Sequence, residues 1–153
     1  CGSAKNVIAI AAGFCDGFGY GDNTKSALIT RGIKEVARLG LKSGAKFETF
    51  FGLAGIGDLI VTCGSIHSRN RKLGERIGRG MSLNNAFGKS HMVVEGVKSA
   101  FSIKNLSEKY EIEMPICDSV FKVLYENADP VEEVNALMTR NLKSESFHSS
   151  SSI

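Results

Sequence analysis

The chain has 153 residues, 42% of them hydrophobic and 23% charged, with a net charge of +3. That length suits one domain with its own core, and so mild a charge does not by itself point to nucleic acid. No apolar run is long enough to span a membrane, and no basic–apolar–small signal peptide opens the chain.

The first element, Asn6 to Phe14, is an apolar run followed by glycines, and two readings compete for it. As a strand and loop it would open a dinucleotide-binding unit. Gly17-x-Gly19-x-Gly21 is not G-x-G-x-x-G, however, and no second strand–helix alternation follows. Ala9, Ala11 and Ala12 favour a helix that is apolar all round and therefore buried. A turn follows, in which Asp22 or Asn23 can cap the next helix. Thr24 to Leu41 places Leu28, Ile29, Ile33, Val36, Ala37 and Leu41 at helical spacing, with Lys25, Arg31, Lys34 and Glu35 on other faces. Ser43-Gly44 ends that helix. Lys46 to Phe51 is a short helix or turn whose phenylalanines read as core plugs.

Gly55 to Thr62 and Ser68 to Arg79 are the two helices around which the chemistry gathers. Asp58 and Thr62 stand four residues apart, so both polar groups project from one face. Ser68 caps the second helix, whose free N–H groups lie beside Arg69 and Arg71 and make an anion site. The competing reading is a solvated basic face, since Arg71, Lys72, Arg76 and Arg79 have only Glu75 to balance them. Nucleic acid is disfavoured there because stacking aromatics are missing. Thr62 can bond back to its own helix. Cys63 and His67 read as a buried thiol and a surface histidine, too few ligands for a metal.

Ser82 to Phe87 makes a further turn and short helix, and Val93 to Val97 leads into a long amphipathic helix through Tyr110. Met114-Pro115 opens a helix through Leu124, with proline tolerated in its first turn, and Pro130 to Leu137 is the last. From Ser144 the serine-rich sequence reads as a disordered tail, 144–153. No strand is convincing, so a single all-α domain is expected over 1–143. Cys1, Cys15, Cys63 and Cys117 are scattered without a C-x-x-C pair, which suits reduced thiols in the cytoplasm. The chain opens on Cys1-Gly-Ser-Ala without methionine and is read as a piece of a longer protein.

Five blocks carry a resemblance: Lys5-Asn6-Val-Ile-Ala-Ile-Ala-Ala-Gly, Gly21-Asp-Asn-Thr-Lys25, Gly55-Ile-Gly-Asp-Leu-Ile-Val-Thr-Cys63, Ser68-Arg-Asn-Arg71 and Val93-Val-Glu-Gly96. In order and at the same spacing, from Lys5 to Glu145, the chain resembles the C-terminal helical domain of bacterial-type NAD(P)-dependent sn-glycerol-3-phosphate dehydrogenases. The resemblance implies a fold like the C-terminal domain of the 6-phosphogluconate dehydrogenase-like group. It also implies part of a cytoplasmic, homodimeric enzyme that reversibly reduces dihydroxyacetone phosphate to sn-glycerol 3-phosphate for glycerophospholipid synthesis. NAD(P)H would be bound mainly by an N-terminal Rossmann domain that this chain lacks, so the chain alone is expected to be inactive.

Carried over residue by residue, Lys5 is implied as the catalytic lysine. Asp58, Ser68, Arg69 and Asn70 are implied with Lys5 as substrate contacts, and Arg69, Val93 and Glu95 as cofactor contacts; no metal is implied. The chemistry suits those roles, because reducing a ketone needs a proton delivered where negative charge develops, and an ammonium supplies both. The alternative is a non-catalytic helical dimerisation or basic binding module. It would show a smooth basic face, with Lys5, Asp58 and Arg69 far apart.

Overall fold

The computed structural model describes residues 2–46, 48, 50, 52–88 and 94–140, and among them all regular structure is helical. The run expected to be buried is α1 (Gly2–Phe18), and it is the axis of the domain: Val7 to Ala12, Phe14 and Cys15 are each at most 1% exposed. Around it lie α2 (Asp22–Lys42), a π-helical turn (Leu53–Gly57) running into α3 (Asp58–Gly64), and α4 (Arg69–Gly78). The short α5 (Leu83–Phe87), then α6 (Glu95–Lys109), α7 (Pro115–Tyr125) and α8 (Pro130–Thr139) complete the described chain. Of the helices named here, α2 to α4 and α6 to α8 pack on α1, and α4 packs on it most extensively. A helix surrounded on all sides has no polar face to spare, which is why its sequence lacks amphipathic periodicity. Among the described residues, no helix is long and apolar enough to cross a membrane.

Glycines decide how close α4 comes. Gly13 and Gly17 of α1 meet Gly74 and Gly78 of α4 backbone to backbone. A Cβ built on Gly74 would lie 2.0 Å from the Ile10 carbonyl oxygen, and one on Gly13 would lie 2.1 Å from that of Arg71. The spacing of four places each pair on one helix face, as in other close helix crossings. Gly13 and Gly17, which look like helix breakers in the sequence, therefore lie within α1, which starts before Asn6 and runs on past Phe14.

Several expectations change with the third dimension. Gly21, not Asp22 or Asn23, occupies the N-cap of α2, and Asp22 sits in its first turn. Leu41 is exposed rather than inward. Ser68 does cap α4, its Oγ accepting from the Arg71 N–H at 3.2 Å. Pro115 opens α7 as expected, and Asp129 caps α8 by accepting from the Val131 N–H at 2.7 Å. Phe50 is buried against Gly40. Phe47, Phe51, Val93 and the tail from Ser144 lie outside the described residues.

Glu35 is the largest departure. Expected on a polar face of α2, it is 2% exposed, because its carboxylate caps α7: it accepts from the Ile116 N–H at 2.7 Å and from the Cys117 N–H at 3.2 Å. Proline at the helix start leaves these N–H groups without intrahelical partners. Burial raises the carboxyl pKa to about 7, against the pull of the two N–H groups and of Arg38. A raised folded-state value means that the native state holds this proton where the unfolded chain, near 4.5, has lost it. This contribution to stability is therefore complete below pH 4.5 and is lost as pH rises to about 7. The loss is on the order of 3 kcal/mol. Urea unfolding of wild type and Glu35→Gln across that window checks it: the stability difference between them should shift by about this amount, and a constant difference would refute the assignment.

Candidate active site

Lys5 and Asn6 stand on the first turns of α1, where the axis helix emerges from its packing. Lys5 Nζ forms an ion pair with Asp58 Oδ2 at the start of α3. Both side chains keep solvent access, at 30% and 41%, so the pair contributes at most about 1 kcal/mol to stability. Its value is placement: an ammonium is held at a cleft edge by one oxygen of Asp58. The other oxygen, Oδ1, lies 3.4 Å from Thr62 Oγ1, whose hydroxyl donates mainly to the Asp58 carbonyl at 2.7 Å. Thr62 thus bonds back to its own helix, as one sequence reading held.

Two polar clefts meet at Glu95, the first residue of α6. The smaller, of about 320 Å³, is lined by Ser68, Arg69 and Asn70 of the α4 start, by Thr62 and His67, and by Glu95. The wider, of about 760 Å³, includes Lys5, Asn6, Glu95, Lys98 and Ser99 in its lining. Among the described residues, six of the seven expected site positions therefore border one of these clefts or pair directly with a residue that does. The seventh, Val93, is not described.

The side chains differ in how free they are. Arg69 is exposed, and no hydrogen bond or ion pair engages its guanidinium among the described residues. Asn70 is nearly buried, and its Oδ1 accepts the Gly96 N–H at 2.9 Å, which commits the carbonyl and leaves the amide nitrogen to donate. That contact requires a glycine: a Cβ at Gly96 would lie 2.5 Å from Asn70 Oδ1. Ser68 spends a lone pair on its cap but can still donate its proton. Cys63 is buried and its thiol is pushed up to about 12 by desolvation, whereas His67 is exposed at the cleft.

Sequence reasoning missed Asn6. Its amide nitrogen donates to Glu95 Oε2 at 3.3 Å, tying α1 to the carboxylate that both clefts share. The signal was present, since Asn6 is the one polar residue at the head of an all-apolar run. The basic face of α4 was misread in part. Arg71 is not solvated: its guanidinium lies 2.6 Å from Asp16 and 3.3 Å from Glu75, with 12% of the side chain exposed. Arg76 donates to the Ala86 carbonyl at 3.0 Å. Those two contacts break the uniform row of solvated cations that the binding-module reading would show. An exposed guanidinium beside helix N–H groups, an ammonium backed by a carboxylate, and between them an acid that Asn6 holds through one oxygen, suit an anion and a ligand rich in hydroxyls.

Comparison with known proteins agrees with that chemistry. The family model described as "NAD-dependent glycerol-3-phosphate dehydrogenase C-terminus" matches residues 1–135. The chain is 58% identical over 146 residues to a glycerol-3-phosphate dehydrogenase (NAD(P)+) of Clostridium acetobutylicum, covering 95% of this chain and 44% of that protein. It is 57% identical to a second such enzyme, from Salinibacter ruber, over 94% of this chain and 42% of the relative. The fold matches the crystal structure of glycerol-3-phosphate dehydrogenase from Coxiella burnetii with a TM-score of 0.88 at 42% identity, over 92% of this chain and 43% of that one. The chain thus spans less than half the length of the curated relatives that it matches.

Proposed function

Because the chain belongs to the family of NAD-dependent glycerol-3-phosphate dehydrogenase C-terminal domains, we propose that it is the substrate-binding and proton-donating half of such an enzyme. The complete enzyme interconverts dihydroxyacetone phosphate and sn-glycerol 3-phosphate, in the cytoplasm, as a homodimer, and supplies phospholipid synthesis. The observation that carries this reading is the Lys5–Asp58 pair at a cleft edge, with Glu95 joining that cleft to the one Arg69 borders. NAD(P)H, when bound, supplies the hydride that reduction of a ketone requires. Arg69 and Glu95 are the described residues that fit it, a cation for its phosphates and a carboxylate for its hydroxyls, while most of its site belongs to a Rossmann domain outside this chain.

In this reading Arg69, Asn70 and Ser68 hold the substrate phosphate with one charged and two neutral donors. Lys5 Nζ donates its proton to the ketone oxygen as charge develops there, and Asp58 keeps the ammonium oriented. The purified chain alone should not oxidise NADH with dihydroxyacetone phosphate, since reacting groups must be held together for the step to occur.

Arg69 tests the reading. In the complete enzyme, Arg69→Ala should raise KM for dihydroxyacetone phosphate by roughly tenfold or more and raise cofactor KM as well. Arg69→Lys keeps charge without the bidentate fork and should rescue only part of the loss. Lys72, exposed on the next turn of α4, is the control. If Lys72→Ala proved equally damaging, binding would be spread over a diffuse basic surface and the role of Arg69 would fall.

A further inference from the structure

Arg71 sits immediately after the proposed phosphate cradle and turns away from it. Its Nε is 2.6 Å from Asp16 Oδ2 near the end of α1, and its Nη1 is 3.3 Å from Glu75 Oε2. The same Asp16 carboxylate accepts from Lys25 Nζ at 2.8 and 2.9 Å, which brings in the first turns of α2. Buried Nε has no acceptor in line with its N–H, so charge rather than a directed bond holds it. The main chain of Arg71 is fixed as well. Its N–H donates to Ser68 Oγ, and its carbonyl oxygen occupies the space a Cβ of Gly13 would fill.

We infer that the Lys25–Asp16–Arg71 ion cluster is a positioning device for the anion cradle. It sets the rotation and height of the first turn of α4 so that Arg69 and Asn70 face the cleft. Two general considerations favour this over a purely stabilising role. Ion pairs withdrawn from water this far, with 12–18% of each side chain exposed, pay a desolvation penalty that offsets much of their attraction, so they are weak contributors to stability. What they do well is select one arrangement among several, and a cradle for a dianion needs its donors fixed before the ligand arrives. Asp16, Lys25 and Arg71 touch neither cleft, so they are positioning residues that act through Arg69 and Asn70.

The inference rests on the proposed function for the identity of the anion, and the experiment separates the two. In the complete enzyme, Asp16→Asn keeps shape but removes the charge between two cations. It should raise KM for dihydroxyacetone phosphate about fivefold with kcat within about twofold. Introduced into Arg69→Ala, the same change should move KM less than about twofold, because the charged donor that carries most of its effect is gone and only Asn70 still transmits it. Arg71→Lys, which keeps the charge, gives an intermediate KM and guards against a variant that fails to fold. A KM effect undiminished without Arg69, or a loss of kcat and Tm with KM unchanged, would overturn the inference. Failure of the wild-type enzyme to reduce dihydroxyacetone phosphate would instead remove the proposed function. The same double-mutant cycle read on inorganic phosphate binding by calorimetry would still decide the role of Asp16: coupling to Arg69 supports it, and additivity overturns it.

Discussion

Lys5→Met in the complete enzyme is expected to lower kcat at least about a hundredfold while changing KM for dihydroxyacetone phosphate far less. Methionine keeps the approximate length of the side chain and its packing at the head of α1, but it removes the charge and the transferable proton. Phosphate binding depends in this reading on Arg69, Asn70 and Ser68, all on α4, so ground-state affinity is largely retained. Stability should also hold, because the Lys5–Asp58 pair is solvated and contributes little to folding. The measurement is steady-state kinetics beside a thermal melt. Near-normal kcat would remove Lys5 from the mechanism. A parallel fall in Tm would mean that the substitution damaged the helix, and Lys5→Arg would then separate charge from proton transfer.

The second large effect concerns packing. Gly74→Ala should destabilise the domain by about 3 kcal/mol or more, although alanine is the better helix former by about 1 kcal/mol. The added carbon would lie 2.0 Å from a backbone carbonyl of α1, and backbone, unlike the end of a flexible side chain, cannot turn aside. The helices must separate, and their contact is the most extensive in the fold. Gly64→Ala is the matched comparison, since nothing lies within 4 Å of a Cβ there; it should be neutral within about 1 kcal/mol. Urea denaturation of both variants decides the matter. Equal stabilities would mean that α1 and α4 can slide apart at little cost. The same loss should disturb Arg69 and Asn70, because the close crossing lies one turn behind them on α4.

Much of this protein was legible along the chain. Helical spacing, caps at Ser68, prolines at helix starts and the absence of strand patterns are local properties, set by backbone geometry within a few residues, and all of them appear in the fold. The candidate site residues were named for a different reason, since Lys5, Asp58 and Ser68-Arg69-Asn70 sit in blocks whose order and spacing resemble the family to which the chain belongs. What the chain could not declare was pairing at a distance. Arg71 reads as one more solvated cation until α1 brings Asp16 to it, and Glu35 as an exposed acid until α7 presents two N–H groups that need an acceptor. Asn6 and Glu95, 89 positions apart, meet only because α6 docks through Gly96 at the crossing of α1 and α4. Local sequence determines which groups a helix carries and how they are spaced. Only the close approach of helices, permitted here by glycines, determines which of those groups are dried, paired and held, because desolvation and Coulomb attraction depend on distances that no single segment contains.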